Sequence, residues 1–197
     1  MNENILQKHK YFVLLSVPIM ISVYFVPLWI IIMGGVQFPD PLEMLLYVYD
    51  IVGGEEWDIY TINDFNHYVG MGKINAEAMP ELKYMPWILG YIILFSVITF
   101  FHSKVYMVLI QLAHLTLAGL AGMVDFYLWL YKYGKNMDTT APLYNKVFDY
   151  QPPLFACKQI MNVRPCSWPH IGTFIMLGVA GIFIYIAYKE RELHLKK

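Results

Sequence analysis

The chain has 197 residues, 58% of them hydrophobic and only 15% charged, with a net charge of −1. A soluble domain carries roughly a quarter charged residues, and here the shortfall is concentrated in a few long apolar runs, which excludes an ordinary soluble domain. No block of basic residues is present, which excludes nucleic acid as a partner.

The predicted architecture is an all-α membrane protein, one integral membrane domain over residues 1–197. It has four transmembrane helices and two long loops packed as a cap on the outer side. The first apolar run, Tyr11 to Ile32, holds no charge and is long enough to cross a hydrocarbon core roughly 30 Å thick. Pro18 and Pro27 lie inside it and predict kinks, which membrane helices tolerate. A cleaved signal peptide is the competing reading; the length of the run and the lack of a small-x-small site after it argue against that.

The first loop spans residues 33–86. Pro41 to Val52 is an apolar stretch too short to cross, suited to a helix lying on the membrane or under the loop, and Gly53-Gly54 ends it. In the segment from Asn63 to Gly72, Gly70 and Gly72 predict a sharp bend that brings His67 near Met71.

The second span covers Trp87 to Phe101, with Tyr84, Met85 and Pro86 able to extend it. His102-Ser103-Lys104 forms a tight turn into the third span, Val105 to Tyr131. On that helix His114 and Asp125 fall on nearly one face, about 16 Å apart, with Ala118, Ala121 and Gly122 between them. Ionisable groups in a membrane are costly and are functional candidates by default, here for a proton, ion or metal. The structural alternative is interhelical glue, with Asp125 paired to a loop lysine or a backbone N–H. The sequence does not separate the two.

The second loop, residues 132–170, holds Gly134, five prolines and many aromatics, which predicts a stiff segment rather than a disordered one. Cys157 and Cys166 have eight residues between them, no standard zinc or redox spacing. In an oxidising compartment the simplest reading is a disulfide, with metal ligation or free thiols as the other outcomes. The fourth span is Ile171 to Tyr188.

Four spans put both termini on one side. Lys8, Lys10, Lys104, Lys189, Arg191, Lys196 and Lys197 flank the spans or sit in the short turn, and the two loops hold seven further bases. Short flanks weigh more in the positive-inside rule, and the first loop carries nine carboxylates against two lysines. The termini are therefore expected in the cytoplasm, and the loops in the periplasm of a bacterial inner membrane.

The soft-ligand inventory comprises 12 Met, six His and two Cys. Thioether, thiolate and imidazole suit copper(I) better than magnesium or calcium. His67 with Met71 is the first candidate, with Met79 and Met137 as further ligands, against a purely structural role in packing. No nucleotide loop, nucleophile triad, zinc-hydrolase motif or haem-attachment motif is present, so a non-catalytic protein is expected.

Several stretches carry a resemblance. They are Asn66-His-Tyr-Val-Gly-Met71, Asp125 through Tyr131-Lys-Tyr-Gly-Lys-Asn-Met-Asp138, Tyr150-Gln-Pro-Pro-Leu154, Lys158-Gln159 and Pro169-His-Ile-Gly172. Together they resemble the NosB-type polytopic membrane proteins of clade II nitrous oxide reductase gene clusters, over about half the chain. Where that pattern has Tyr-Gly-His-Asn, this chain has Tyr133-Gly-Lys-Asn136 and so lacks an imidazole. The two cysteines stand outside the pattern. The resemblance implies an accessory role beside a periplasmic copper-containing nitrous oxide reductase: maturation with transiently bound copper, membrane docking, or electron supply. Alternatives are a small structural subunit of a larger respiratory or oxidase complex, and a proton or ion relay.

Overall fold

The computed structural model describes Ile5 and residues 7–195. The elements are α1 Gln7–Ser22, β1 Trp29–Gly35, β2 Phe38–Leu46, β3 Ile51–Gly53, α2 Asp58–Val69, α3 Glu81–His102 and α4 Val105–Lys135, followed by the single turn α5 Tyr144–Val147, β4 Ala156–Cys157, β5 Val163–Pro169 and α6 Ile171–Leu195.

Among the described residues three helices are long and apolar enough to cross a membrane: Glu81–His102, Val105–Lys135 and Ile171–Glu192. The first run supplies a shorter apolar helix, His9–Phe25. At 1.5 Å per residue, the 22 residues of α3 reach about 33 Å and the 31 of α4 about 46 Å, so α4 runs well past α3. The four helices pack as a ring in which α1 touches α3 and α6, and α4 touches the same two. Val13, Met20, Ile92, Val108, Leu115, Val179, Phe183 and Ile186 fill its centre. Gln111 is fully buried there and donates from Nε2 to the Ile92 carbonyl (3.0 Å) and Ser96 Oγ (2.7 Å), tying α4 to α3. The tight turn is present: Ser103 adopts φ 51° and its amide bonds to the Thr99 carbonyl.

The all-α expectation is corrected. A five-stranded antiparallel sheet, in the order β3-β2-β1-β5-β4, stands at one end of the bundle. The first apolar run is not one helix through Ile32. Pro27 forces the residue before it out of helical geometry, Val26 is extended (φ −130°, ψ 147°), and the β-branched run Ile30-Ile31-Ile32 continues as a strand. Pro27 therefore ends the helical segment, while Pro18 lies inside α1. The stretch Pro41 to Val52 is also strand rather than surface helix. The adjacent β1 gives its backbone partners from Leu42 to Leu46, and β3 pairs with Met44 to Leu46 on the other side.

The two loops do pack on each other. Met33, Met44, Ile62, Val69, Met71, Ile74 from the first and Val147, Tyr150, Ile160, Val163 from the second form one core, with Trp129 and Tyr133 of α4 against it. Gly134 permits this contact, since a Cβ there would sit 2.7 Å from the Tyr150 carbonyl oxygen. Cys157 and Cys166 face each other across β4 and β5 and are joined as a disulfide. Closing so short a loop is worth about 2–3 kcal/mol by chain entropy. Changing both cysteines to serine is therefore expected to lower the melting temperature of the cap, with no further response to reductant.

Candidate functional site

The cap holds a cavity of about 50 Å³ between the sheet and α2/α4, lined by Ile31, Met33, Met44, Met71, Trp129 and Tyr133 among others. Asn66 lies on its wall, and its Nδ2 has no hydrogen-bond partner among the described residues. α2 reaches this position because Asp58 anchors its first turn, Oδ2 accepting from the amides of Glu43 (3.0 Å) and Glu55 (2.9 Å). It stops at Gly70, which takes the left-handed conformation (φ 85°).

The bend at Gly70 leaves His67 and Met71 in different surroundings. The imidazole is exposed beside Tyr68, with ring centroids 5.9 Å apart, whereas Met71 is buried in the cap core. Met137 packs at the edge of that same core, and Met79 is buried outside it. Three thioethers line the cavity, but no imidazole or carboxylate does. Among the described residues no group of three or more His, Cys, Asp or Glu could hold a metal ion. The cavity wall thus offers thioethers, and the His67 imidazole stands outside it.

His114 and Asp125 remain apart on α4. The Nε2 of His114 lies 3.3 Å from the Tyr91 hydroxyl and its ring packs edge-on against Phe95. Its Nδ1 has no hydrogen-bond partner among the described residues. Asp125 is exposed, with Glu81 and Lys132 close enough to act on it electrostatically. No described polar group bridges the two.

The polar pair that sequence reasoning missed is His9 with Glu190. Nδ1 and Oε1 are 2.6 Å apart, both side chains are buried, and the contact ties α1 to α6 across 181 residues of chain. Each residue sits in the charged flank of an apolar run, where a sequence reading places it in water. The one available signal is that both flanks belong to helices whose apolar faces must meet.

The outward face of α2 carries a run of exposed aromatics. Trp57, Tyr60, Asp64 and Tyr68 recur at helical spacing and all are exposed, Trp57 at 66%. Glu55 and Glu56 stand exposed at the start of this stripe.

Tyr150 and Asp138 in the second loop have displaced acidities. Burial pushes the Tyr150 phenol up, so it stays protonated and donates to the Lys158 carbonyl (3.2 Å). Asp138 is held below the usual carboxylate range, first by the Thr140 hydroxyl, then by the Thr140 amide, with His67 adding to the effect. A depressed folded pKa gives stability that is present above the unfolded value of about 3.9 and is lost as pH falls through the folded value. The turn from Asp138 to Leu143 bonds to α2 through Asp138 N–H to the Gly70 carbonyl and Leu143 N–H to the Tyr68 carbonyl. Below about pH 4 these two amides are expected to exchange with solvent sooner than the rest of the cap, and in Thr140→Val at a higher pH than in the wild type.

A scan against protein-family models matches none of them, and a comparison with curated proteins finds no significant match.

Proposed function

We propose that this chain is a non-catalytic accessory protein of a bacterial inner membrane, with four spanning helices, cytoplasmic termini and a cap on the periplasmic side. The cap serves as a docking platform for a periplasmic copper-containing nitrous oxide reductase. The resemblance of the cap motifs supplies the identity of the partner. The observation that carries the docking role is the α2 stripe: large aromatics on a rigid helix, beside the carboxylates of the first loop, suit a basic surface with an apolar centre. The disulfide supports the side assigned to the cap, since such bonds persist in oxidising compartments. Copper in this reading belongs to the partner.

Deleting the gene in its native host tests the assignment. The expected result is lost nitrous oxide consumption, with a copper-replete reductase that still works on an artificial electron donor. A copper-poor reductase would move the role to maturation, and unchanged consumption would reject the assignment.

A second reading, a structural subunit of a larger membrane complex, is favoured by the outer half of α4. From Thr116 to Leu128 none of its residues is buried, and nothing approaches the Cβ positions of Gly119 and Gly122 within 4 Å. Small open residues admit another helix closely. Extraction in mild detergent as a stable assembly of fixed stoichiometry, without the reductase, would favour this reading.

A further inference from the structure

The sheet has two faces, and the cap core and its cavity lie on one of them. Directly paired residues of an antiparallel sheet project to the same side. The cavity side carries Trp29, Ile31, Met33 and Met44, under α2 and α4. The other side presents a row of Val52, Leu45, Ile30 and Trp168, and next to it a row of Glu43, Ile32, Cys166 and Cys157. Ile30, Ile32, Leu45, Val52 and Trp168 join none of the three hydrophobic cores; the first four are half-buried and Trp168 is 44% exposed.

The orientation of this face follows from α4. Trp29 touches Phe126, and farther along both elements Ile31 and Met33 share the cavity with Leu130 and Tyr133. The strands therefore climb along the helix axis, and the sheet stands upright on the bundle rather than lying flat on lipid. A surface upright on a membrane can meet a second copy of itself about a two-fold axis along the membrane normal, here along β1. Such an axis exchanges the β2 side with the β5 side. It sets Glu43 of one copy near Arg164 of the other, which projects from the same face opposite Gly34. Neither Glu43 nor Arg164 has a side-chain partner among the described residues.

We infer that this face is the contact of a homodimer, two sheets packing face to face about an axis along β1, with Glu43 and Arg164 paired twice across it. Aligned packing of two sheets at about 10 Å suits this arrangement. Copies confined to one membrane already share an axis direction, which reduces the rotational cost of association. The inference rests on the membrane-spanning reading but not on the reductase assignment, because the α2 stripe lies on the far side of the cap core from this face.

Cysteine cross-linking in native membranes tests it. Ile30→Cys lies on the axis and is expected to be joined to its copy by a short bifunctional maleimide, which spans the gap between sheets about 10 Å apart, while Ile31→Cys, turned into the cavity, gives no linked dimer. Glu43→Arg in the Ile30→Cys background should reduce the dimer at least about tenfold, and adding Arg164→Glu should restore it. Counting subunits of the wild-type chain in lipid nanodiscs should show two copies, which guards against a folding defect in the variants. No cross-link at residue 30, equal cross-linking at residues 30 and 31, or single copies in nanodiscs would each overturn the dimer. Loss of the dimer in these assays with reductase binding intact would leave the docking role standing.

Discussion

Replacing His9 with leucine is expected to destabilise the helical bundle by about 3 kcal/mol, because it removes the imidazole that faces a buried Glu190 carboxylate. The two atoms lie 2.6 Å apart, a separation that requires a proton between them. With the imidazole gone, the carboxylate keeps the cost of its burial and loses the partner 2.6 Å away that helps to offset it. Replacing both residues with leucine is expected to cost less than the single change, since two apolar groups pack without a desolvation penalty. Unfolding of purified protein by heat in detergent measures both variants. A single change as mild as a surface substitution, under about 0.5 kcal/mol, would mean that the pair does not hold α1 against α6.

Gly70→Val is expected to damage the cap to a similar extent while leaving the helices in place. A β-branched residue at φ 85° incurs about 1–2 kcal/mol of backbone strain. Its Cβ would also lie 2.6 Å from the Asp138 carbonyl oxygen, a backbone atom that can move only by opening the turn. That turn is held by the Asp138 amide on the Gly70 carbonyl at 2.7 Å and the Leu143 amide on the Tyr68 carbonyl at 3.0 Å. Losing these bonds brings the total to about 3–4 kcal/mol. Limited proteolysis should cut the second loop of the variant quickly, while far-ultraviolet circular dichroism keeps its helical signal. Protease resistance equal to that of the wild type would show that α2 and the turn are not coupled through Gly70.

These two sites mark what a sequence can and cannot reveal here. Gly70 was legible as a bend, because closely spaced glycines are a local turn signal, but the helix it ends, α2, was not read in the first loop. The turn at Ser103 and the apolar lengths of α3, α4 and α6 were likewise legible from local pattern. The cysteine pair was readable from compartment and loop stiffness. The sheet was not, because β1 continues an apolar helix without a change of composition, and only Pro27 marks the switch. The stretch Pro41 to Val52 reads equally as helix or strand until β1 stands beside it. The contact between His9 and Glu190 has no local signature at all, since it exists only once the first and last helices are packed together. His67 and Met71 are close in sequence, but the helix turns one to solvent and the bend turns the other to the core.

The outward stripe of α2 is where the docking role stands or falls. The most direct measurement is recovery of nitrous oxide reductase with this chain from native membranes, comparing the wild type with a Trp57→Ala, Tyr60→Ala, Tyr68→Ala variant. All three aromatics are exposed, so the fold should tolerate the changes. The expected result is reductase bound to the wild type and lost from the variant, with the variant still present in the membrane at normal abundance. Reductase recovered equally with both, or with neither, would contradict the role assigned to the cap.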